Sequence, residues 1–314
     1  LLFEDNMIKD ISIAVIIPCY NEEITIKKTI QSCQGALPTA TIYVYDNNSS
    51  DRTIQIAQTS GAIVRTEKLQ GKGNVVRRMF ADIDADIYVM VDGDATYDMA
   101  NTQELIDILI SNNLDMINGR RVTNIKSAYR RGHRLGNRLL TNAVSMMFGN
   151  RFDDLLSGYR IFSRRFVKTF PAMARGFEIE TELTVHAMEL RMPVAEYDVN
   201  YSDRPEGSES KLRTYQDGFR ILKTIAVLVR EERPLTFFGG AFFLLVGLSL
   251  LLAWPVFSTY LETGLVPRLP TAILSTGLML LGFLNLACGL ILDTVTLGRR
   301  ELKRIAYLRY AARN

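Results

Sequence analysis

The chain has 314 residues, 47% of them hydrophobic and 23% charged, with a formal net charge of +3. That length accommodates one large domain or two ordinary ones with an ample core, and so small a net charge excludes a nucleic-acid binder that works through global charge. Three cysteines, Cys19, Cys33 and Cys288, stand without metal spacing; they exclude a disulfide framework and fit a reducing compartment. The start of the chain carries Glu4 and Asp5 and no basic flank before an apolar run, so it does not read as a signal peptide, and the soluble part is expected in the cytosol.

Up to about residue 120, β-branched runs alternate with helical stretches. The runs are "IAVIIPCY", "ATIYVYDNN", "AIVRTE", "DIYVMVDGD" and "LDMINGRR", the βαβ pattern of a mostly parallel sheet covered on both faces. Ligands of such sheets sit beyond the carboxyl ends of the strands. Three runs end in polar clusters, Tyr20-Asn21-Glu22, Asp46-Asn47-Asn48 and Asp92-Gly93-Asp94, which are expected to meet in one crevice. An arginine-bearing helix is expected over 130–148, followed by "FDDLLSGYRIFSRRF", a helical "FEIETELTVHAMELR", a strand "PVAEYDVNYSDR" and a surface loop "RPEGSESK". His186, within that helix, reads as a core or rim residue; His133, among arginines, reads as part of a solvated face.

Residues 212–232 have apolar positions at helical spacing against Arg213, Arg220, Lys223 and Arg230. A helix lying on an anionic membrane has this pattern, and so does a surface helix of a globular domain. Residues 234–261 and 269–292 hold no charged residue, and each stretch is longer than the roughly 20 residues that cross a bilayer. Two transmembrane spans are therefore expected. Arg230, Arg233, Arg299, Arg300, Lys303 and Arg304 flank the outer ends while the linker holds one arginine, so the positive-inside rule puts both chain ends in the cytoplasm.

Asp92 and Asp94 offer hard oxygen ligands at the end of a buried run, with Gly93 allowing a turn that brings both to the crevice. Alone, such a pair reads equally as a capped turn. In "QGKGN", Lys72 sits between Gly71 and Gly73 at a strand-to-helix junction, where backbone could approach a diphosphate. A dinucleotide fingerprint would need a third glycine where Val76 stands, and the spacing of a P-loop is absent, so dehydrogenase and P-loop kinase chemistry lose their motifs.

Taken together, "VIIPCYNEE", "YVYDNNSSDRT", "GKGNVVR", "VDGDATYD", "DDLLSGYRIF" and "RPEGSESKL" resemble the family 2 glycosyltransferases, in the branch that transfers sugars to polyprenyl phosphate, over residues 10–232. The resemblance implies an α/β domain of GT-A type at 1–211, an amphipathic juxtamembrane helix at 212–233, a two-helix anchor at 234–298 and a basic tail at 299–314. It implies that Pro18, Tyr20, Asn21, Glu22 and Asp46 line the nucleoside, that Lys72, Asp92, Gly93 and Asp94 serve the donor diphosphate, and that Asp92 and Asp94 hold Mg2+ or Mn2+. Asp154 and Asp94 are the implied catalytic residues, and Arg120, Arg131, Ser157, Arg160, Arg204 and Lys211 the implied contacts of the acceptor phosphate. Where the family carries Asp-Asp-Gly-Ser, this chain has Asp46-Asn47-Asn48-Ser49.

The activity implied is inverting transfer of a hexose, glucose from a UDP donor foremost, to polyprenyl (undecaprenyl) phosphate at the cytoplasmic face of the inner membrane, by a homo-oligomer with no nucleic-acid partner. A processive polysaccharide synthase of the same fold would carry Gln-x-x-Arg-Trp, and the only tryptophan here is Trp254, inside a span. A nucleotidyltransferase would release pyrophosphate instead of UDP. A non-catalytic nucleotide-sugar-binding membrane subunit would not turn over, and two spans of one chain do not enclose a transporter's path.

Overall fold

In the computed structural model, which describes residues 11–122, 141–142, 144–147, 149, 152–176, 178–202, 204–205 and 214–311, the apolar runs become strands β1 (Ile13–Cys19), β2 (Thr41–Asp46), β3 (Ile63–Thr66), β4 (Ile87–Met90) and β5 (Met116–Val122). β6 (Arg160–Ser163) and β7 (Val194–Asn200) complete a seven-stranded sheet in the order β3-β2-β1-β4-β6-β5-β7. Every pairing is parallel except those of β6, which runs antiparallel to β4 and β5. The runs of β1 and β4 become strands because both their faces are covered, with Val15, Ile16, Ile17, Val89 and Met90 wholly buried, whereas β3 is a largely exposed edge strand.

One face of the sheet is closed by α1 (Ile26–Ala36), α2 (Thr53–Thr59) and α4 (Thr102–Ser111), which set Ile30, Cys33, Ala57, Leu105 and Leu109 against Val15, Ile17, Val89 and Ile161. The other face carries α3 (Lys72–Asp82), α5 (Arg164–Thr169) and α6 (Ile179–Glu189). There Phe80 meets Tyr88, Phe162 and Phe170 edge-on, and Phe166 stacks on Phe162. His186 joins this aromatic cluster, edge-on to Phe166 and Phe170 and 2% exposed, the core position that its sequence context predicts. Sequence pattern did not reveal β6, whose four residues begin with an arginine. The arginine-bearing helix expected over 130–148 falls largely outside the described residues.

The chain divides into two units: residues 1–218 with 303–314, and Phe219–Leu302. The division falls inside α7 (Thr214–Glu232) and inside α9 (Leu269–Leu308), a 40-residue helix that continues through the basic residues placed by sequence in a tail. In the first unit, Lys303 Nζ lies 2.6 Å from Glu189 Oε2, Arg304 donates to the carbonyl of Leu190, and the Tyr307 hydroxyl donates to Asp115 Oδ2. The second unit contains α8 (Pro234–Thr263, 30 residues) and most of α9, both long and apolar enough to cross a membrane. Apart from Glu232 and Pro234 at the entry to α8, its buried residues among those described are small: Ser249 of α8, and Ser275, Gly282, Gly289 and Thr296 of α9. The four on α9 recur at every seventh position and form one seam. The Ser249 hydroxyl donates to the Ser275 carbonyl at 2.6 Å, and a Cβ at Gly282 or Gly289 would meet Val246 or Phe238 at 3.1 Å, so glycine sets how closely the two helices approach.

Candidate active site

β2, β1 and β4 are neighbours in the sheet, so the three polar clusters at their carboxyl ends lie side by side, as their sequence pattern predicts. Beyond β1 the chain turns at Asn21, in the left-handed region at φ 51°, and Asn21 is stitched to the end of β2: its N–H donates to Ser49 Oγ and its Oδ1 accepts from Ser50 N, both at 2.8 Å. Tyr20 stays exposed, while Glu22 is buried. The Thr25 hydroxyl bridges Glu22 Oε2 (3.0 Å) and the carbonyl of Gly93 (2.8 Å), tying the first cluster to the third.

At the end of β2, Asp46 is 1% exposed; its Oδ2 accepts from Ser49 N, and its Oδ1 has no hydrogen-bond partner among the described residues. Asn47, the departure from the family pattern, donates from Nδ2 to the carbonyls of Glu67 and Leu69 and accepts from Gly71 N at 2.7 Å. A carboxylate could accept but not donate, so an amide is required to hold the 67–71 loop this way.

Gly71 and Gly73 meet protein backbone, which corrects the sequence expectation that they admit a ligand. A Cβ at either would lie 2.2 Å from the carbonyl oxygen of Arg175 or Ala174, and Gly73 N donates to the Gly176 carbonyl. Lys72 turns inward. Its Nζ lies 2.5 Å from Asp92 Oδ1 and 2.6 Å from Glu180 Oε1, with the lysine side chain 9% and the Glu180 side chain 6% exposed. Burial disfavours the Lys72 ammonium, but Asp92 and Glu180 outweigh it and raise its pKa; burial raises the Glu180 carboxyl against the pull of Lys72. Glu180 escaped the sequence analysis. Its one signal is its position a single turn before Leu183 and Thr184, on the buried face of α6.

Asp92 and Asp94 stand where the sequence puts them, but Gly93 serves differently. The left-handed residue of the turn is Ala95, at φ 55°, whereas Gly93 is needed because a Cβ there would sit 2.7 Å from Cys19 Sγ. Gly158 is a similar cradle: its Cβ would fall 2.1 Å from Asp92 Oδ2. Asp94 is 4% exposed; Oδ1 accepts from Thr96 Oγ1 at 2.6 Å and Thr96 N at 3.3 Å, and Oδ2 lies 2.8 Å from Arg204 Nη2. Burial first, and the neighbouring Asp92 charge second, raise the Asp94 carboxyl pKa against the opposing pull of Arg204. The chain beyond β7 delivers Arg204 by running antiparallel along 96–98, with Ser202 N donating to Thr96 O and Asp98 N to Asn200 O.

Asp154 is buried and bidentate with Arg121, at 2.6 and 2.7 Å. Burial works against its ionised form, but the guanidinium prevails and lowers the pKa, so the group is a carboxylate. Glu196 caps the preceding turn, accepting from the N–H groups of Asp153 and Asp154. Neither Arg121 nor Glu196 was singled out by sequence. Arg120 is half-exposed and bridges Asp153 and Asp198 at 2.6 Å each. Arg160 and Ser157, both expected at an acceptor phosphate, are wholly buried instead. Arg160 donates to the carbonyls of Leu155 and Ser157 and to Thr184 Oγ1, and the Ser157 hydroxyl donates to Gly119 O, so the two shape the 154–158 loop from behind. Arg131 and Lys211 lie outside the described residues.

The model of Glycosyl transferase family 2 matches residues 14–170. Glycosyltransferase AglJ of Haloferax volcanii is 30% identical over 300 residues, covering 95% of this chain and 98% of that protein. Dolichyl-phosphate hexose transferase of the same organism is 28% identical over 221 residues, 70% of this chain and 95% of its own length. Among solved structures, glucosyl-3-phosphoglycerate synthase from Mycobacterium tuberculosis, in complex with Mn2+, UDP-glucose and phosphoglyceric acid, superposes with a TM-score of 0.56 at 23% identity, covering 70% of this chain and 79% of that one; the likeness is one of fold.

Proposed function

The chain belongs to glycosyl transferase family 2 and is a glycosyltransferase, and from that premise we propose that it moves a hexose, glucose foremost, from a UDP-linked donor to polyprenyl phosphate at the cytoplasmic face of the membrane. The observation that carries the proposal is the presence, in one chain, of a carboxylate-lined crevice at adjacent strand ends and of two helices whose large apolar side chains face outward. A lipid acceptor explains why a sugar-transfer unit and bilayer-length helices share a polypeptide. The relative that acts with dolichyl phosphate supports the choice of acceptor, and the synthase bound to UDP-glucose supports the choice of donor.

Asp92 and Asp94 would hold the divalent cation. Their oxygens fit it: they are hard donors, and two side-chain cations, Lys72 and Arg204, already stand on them. Bound there, Mg2+ or Mn2+ would neutralise charge on the departing nucleoside diphosphate. Asp46, with one carboxylate oxygen lacking a partner among the described residues, would accept a hydrogen bond from the nucleoside, beside Pro18, Tyr20, Asn21 and Glu22. Asp154, kept ionised and oriented by Arg121, would position a donor hydroxyl or the incoming phosphate. The acceptor phosphate is already largely ionised near neutral pH, so no strong general base is required and positioning dominates. In-line attack on the anomeric carbon inverts it, giving a β-linked product from an α-linked donor.

Arg120, Arg131, Arg204 and Lys211 would meet the acceptor phosphate, with Ser157 and Arg160 supporting the loop beneath. Both chain ends would be cytoplasmic, with residues 259–268 outside. The test is a donor screen with the purified chain, polyprenyl phosphate and either Mn2+ or a chelator, read as the mass of the lipid product. A hexosyl phosphate lipid formed only with metal is the expected result; the same product in chelator would refute the metal assignment, and no lipid product from any nucleotide hexose would refute the acceptor.

A further inference from the structure

Lys72, Asp92 and Glu180 form a chain of charges that runs inward from the crevice wall. The ammonium stands between two carboxylates, 2.5 Å from Asp92 Oδ1 and 2.6 Å from Glu180 Oε1, and of the three side chains only that of Asp92, 30% exposed, reaches the crevice. Lys72 begins α3, and the segment before α6 fixes the backbone there: Gly73 N donates to the Gly176 carbonyl and Asn74 N to that of Arg175. Glu180, in the first turn of α6, then draws the lysine side chain inward. A charge at Glu180 is costly to keep, because the residue is buried and its Oε2 has no hydrogen-bond partner among the described residues. Arg160, whose charge also feels Glu180, donates to the carbonyls of Leu155 and Ser157 and to Thr184 Oγ1, which leaves Lys72 as the cation bonded to Glu180. Without that inner bond, an ammonium on a flexible stem beside Asp92 would be available to the anionic oxygens of a donor. With it, the three groups together carry one net negative charge, and a diphosphate meets the Asp92 carboxylate with Lys72 already committed.

We propose that Glu180 is a positioning residue that commits Lys72 to Asp92 and withholds it from the donor's diphosphate, so that donor binding depends on the divalent cation. The proposal rests on the metal reading of Asp92 and Asp94, and it replaces the direct contact between Lys72 and the diphosphate that the family resemblance implies. Glu180 touches neither donor nor metal; it acts through the ammonium that it shares with Asp92.

The test is UDP binding to the purified full-length chain, measured by calorimetry with Mn2+ and again with chelator, in wild type, Glu180→Gln, the Lys72→Met, Glu180→Gln double variant and Asp94→Asn. Glutamine keeps an oxygen to which Lys72 can donate and removes only the charge. In chelator, Glu180→Gln should bind UDP about tenfold more tightly than wild type, the effect of deleting one negative charge just behind a cation at intermediate dielectric. With Mn2+ it should bind no tighter than wild type, because less negative charge remains to hold the metal, so the metal dependence narrows. The double variant loses charges of both signs and should return the metal-free affinity to the wild-type value. Weaker UDP binding by Glu180→Gln under both conditions would mean that Glu180 only supports the fold, and overturns the proposal; so does a metal-free gain that persists in the double variant. If Asp94→Asn keeps the wild-type response of UDP to Mn2+, the metal reading falls and the proposal with it. If Asp94→Asn loses that response while Glu180→Gln behaves as wild type, the metal reading stands and the role of Glu180 is overturned.

Discussion

The two units use the same apolar residue types in opposite ways. In the first, Val15, Ile16, Ile17, Val89, Ile161 and Phe162 are wholly buried and polar side chains line the crevice. In α8 and α9 the large apolar side chains point outward, with Phe243 73%, Leu251 72% and Trp254 71% exposed, while serine, glycine and threonine are buried. Burying apolar area drives folding in water, whereas in lipid it gives no advantage and helices associate through small residues that permit close approach. The contrast is the one that two solvents, water around the first unit and lipid around α8 and α9, would produce in one chain, and it suggests membrane association of the second unit.

The largest expected effect breaks one side of that comparison only. Asp92→Ala or Asp94→Ala should cost several kcal/mol of transition-state stabilisation, as loss of a Lewis acid's ligands does, and leave melting of both units near wild type. Turnover at saturating donor and calorimetry would check it; an active Asp94→Ala enzyme would contradict the site. Next, Ile16→Ala should destabilise the first unit by about 2–5 kcal/mol, because it empties a packed core, whereas Leu251→Ala should change stability in detergent by less than about 0.5 kcal/mol. Gly282→Leu, which must push against Val246, should cost about 1–3 kcal/mol in the helical unit. Equal losses from Ile16→Ala and Leu251→Ala would erase the contrast.

A smaller effect sharpens it through pH. Burial, with Lys303 assisting, holds the His186 imidazole down from 6.5 to about 3. A histidine depressed in the folded state contributes stability that is fully present above its unfolded pKa and is lost as pH falls below it. Stability of the first unit should thus decline as pH falls through 6.5, the slope approaching about 1.4 kcal/mol per pH unit by pH 5, from this residue alone. The helical unit, which has no histidine, should lack that component. His186→Phe should flatten the decline, as seen by chemical denaturation at several pH values; an unchanged slope would mean the ring is protonated in the folded state.

Much of this organisation was legible in the sequence, for identifiable reasons. β1, β2 and β4 are buried on both faces and so announce themselves as continuous apolar runs, and the clusters that end them are local in sequence. The helices were legible because a bilayer demands length and uniform apolarity. What stayed hidden depends on distant contacts: Glu180 meets Lys72 across 108 residues, and Arg121 meets Asp154 across 33. β6 is too short and begins with a buried arginine whose donors are satisfied by the folded 155–157 loop and by Thr184 of α6. The glycines of "QGKGN" looked like a phosphate cradle because close backbone approach is the same requirement whether a ligand or a loop does the approaching.

The central claim is that a crevice built for a nucleotide sugar serves a lipid phosphate, and following both products of one reaction tests it most directly. Purified full-length chain, Mn2+, UDP-glucose and polyprenyl phosphate would be incubated in detergent micelles and observed by phosphorus and proton magnetic resonance. The account predicts UDP and a β-linked hexosyl phosphate lipid appearing in equal amounts. UDP accompanied by free glucose, pyrophosphate in place of UDP, or an α-linked lipid product would contradict it.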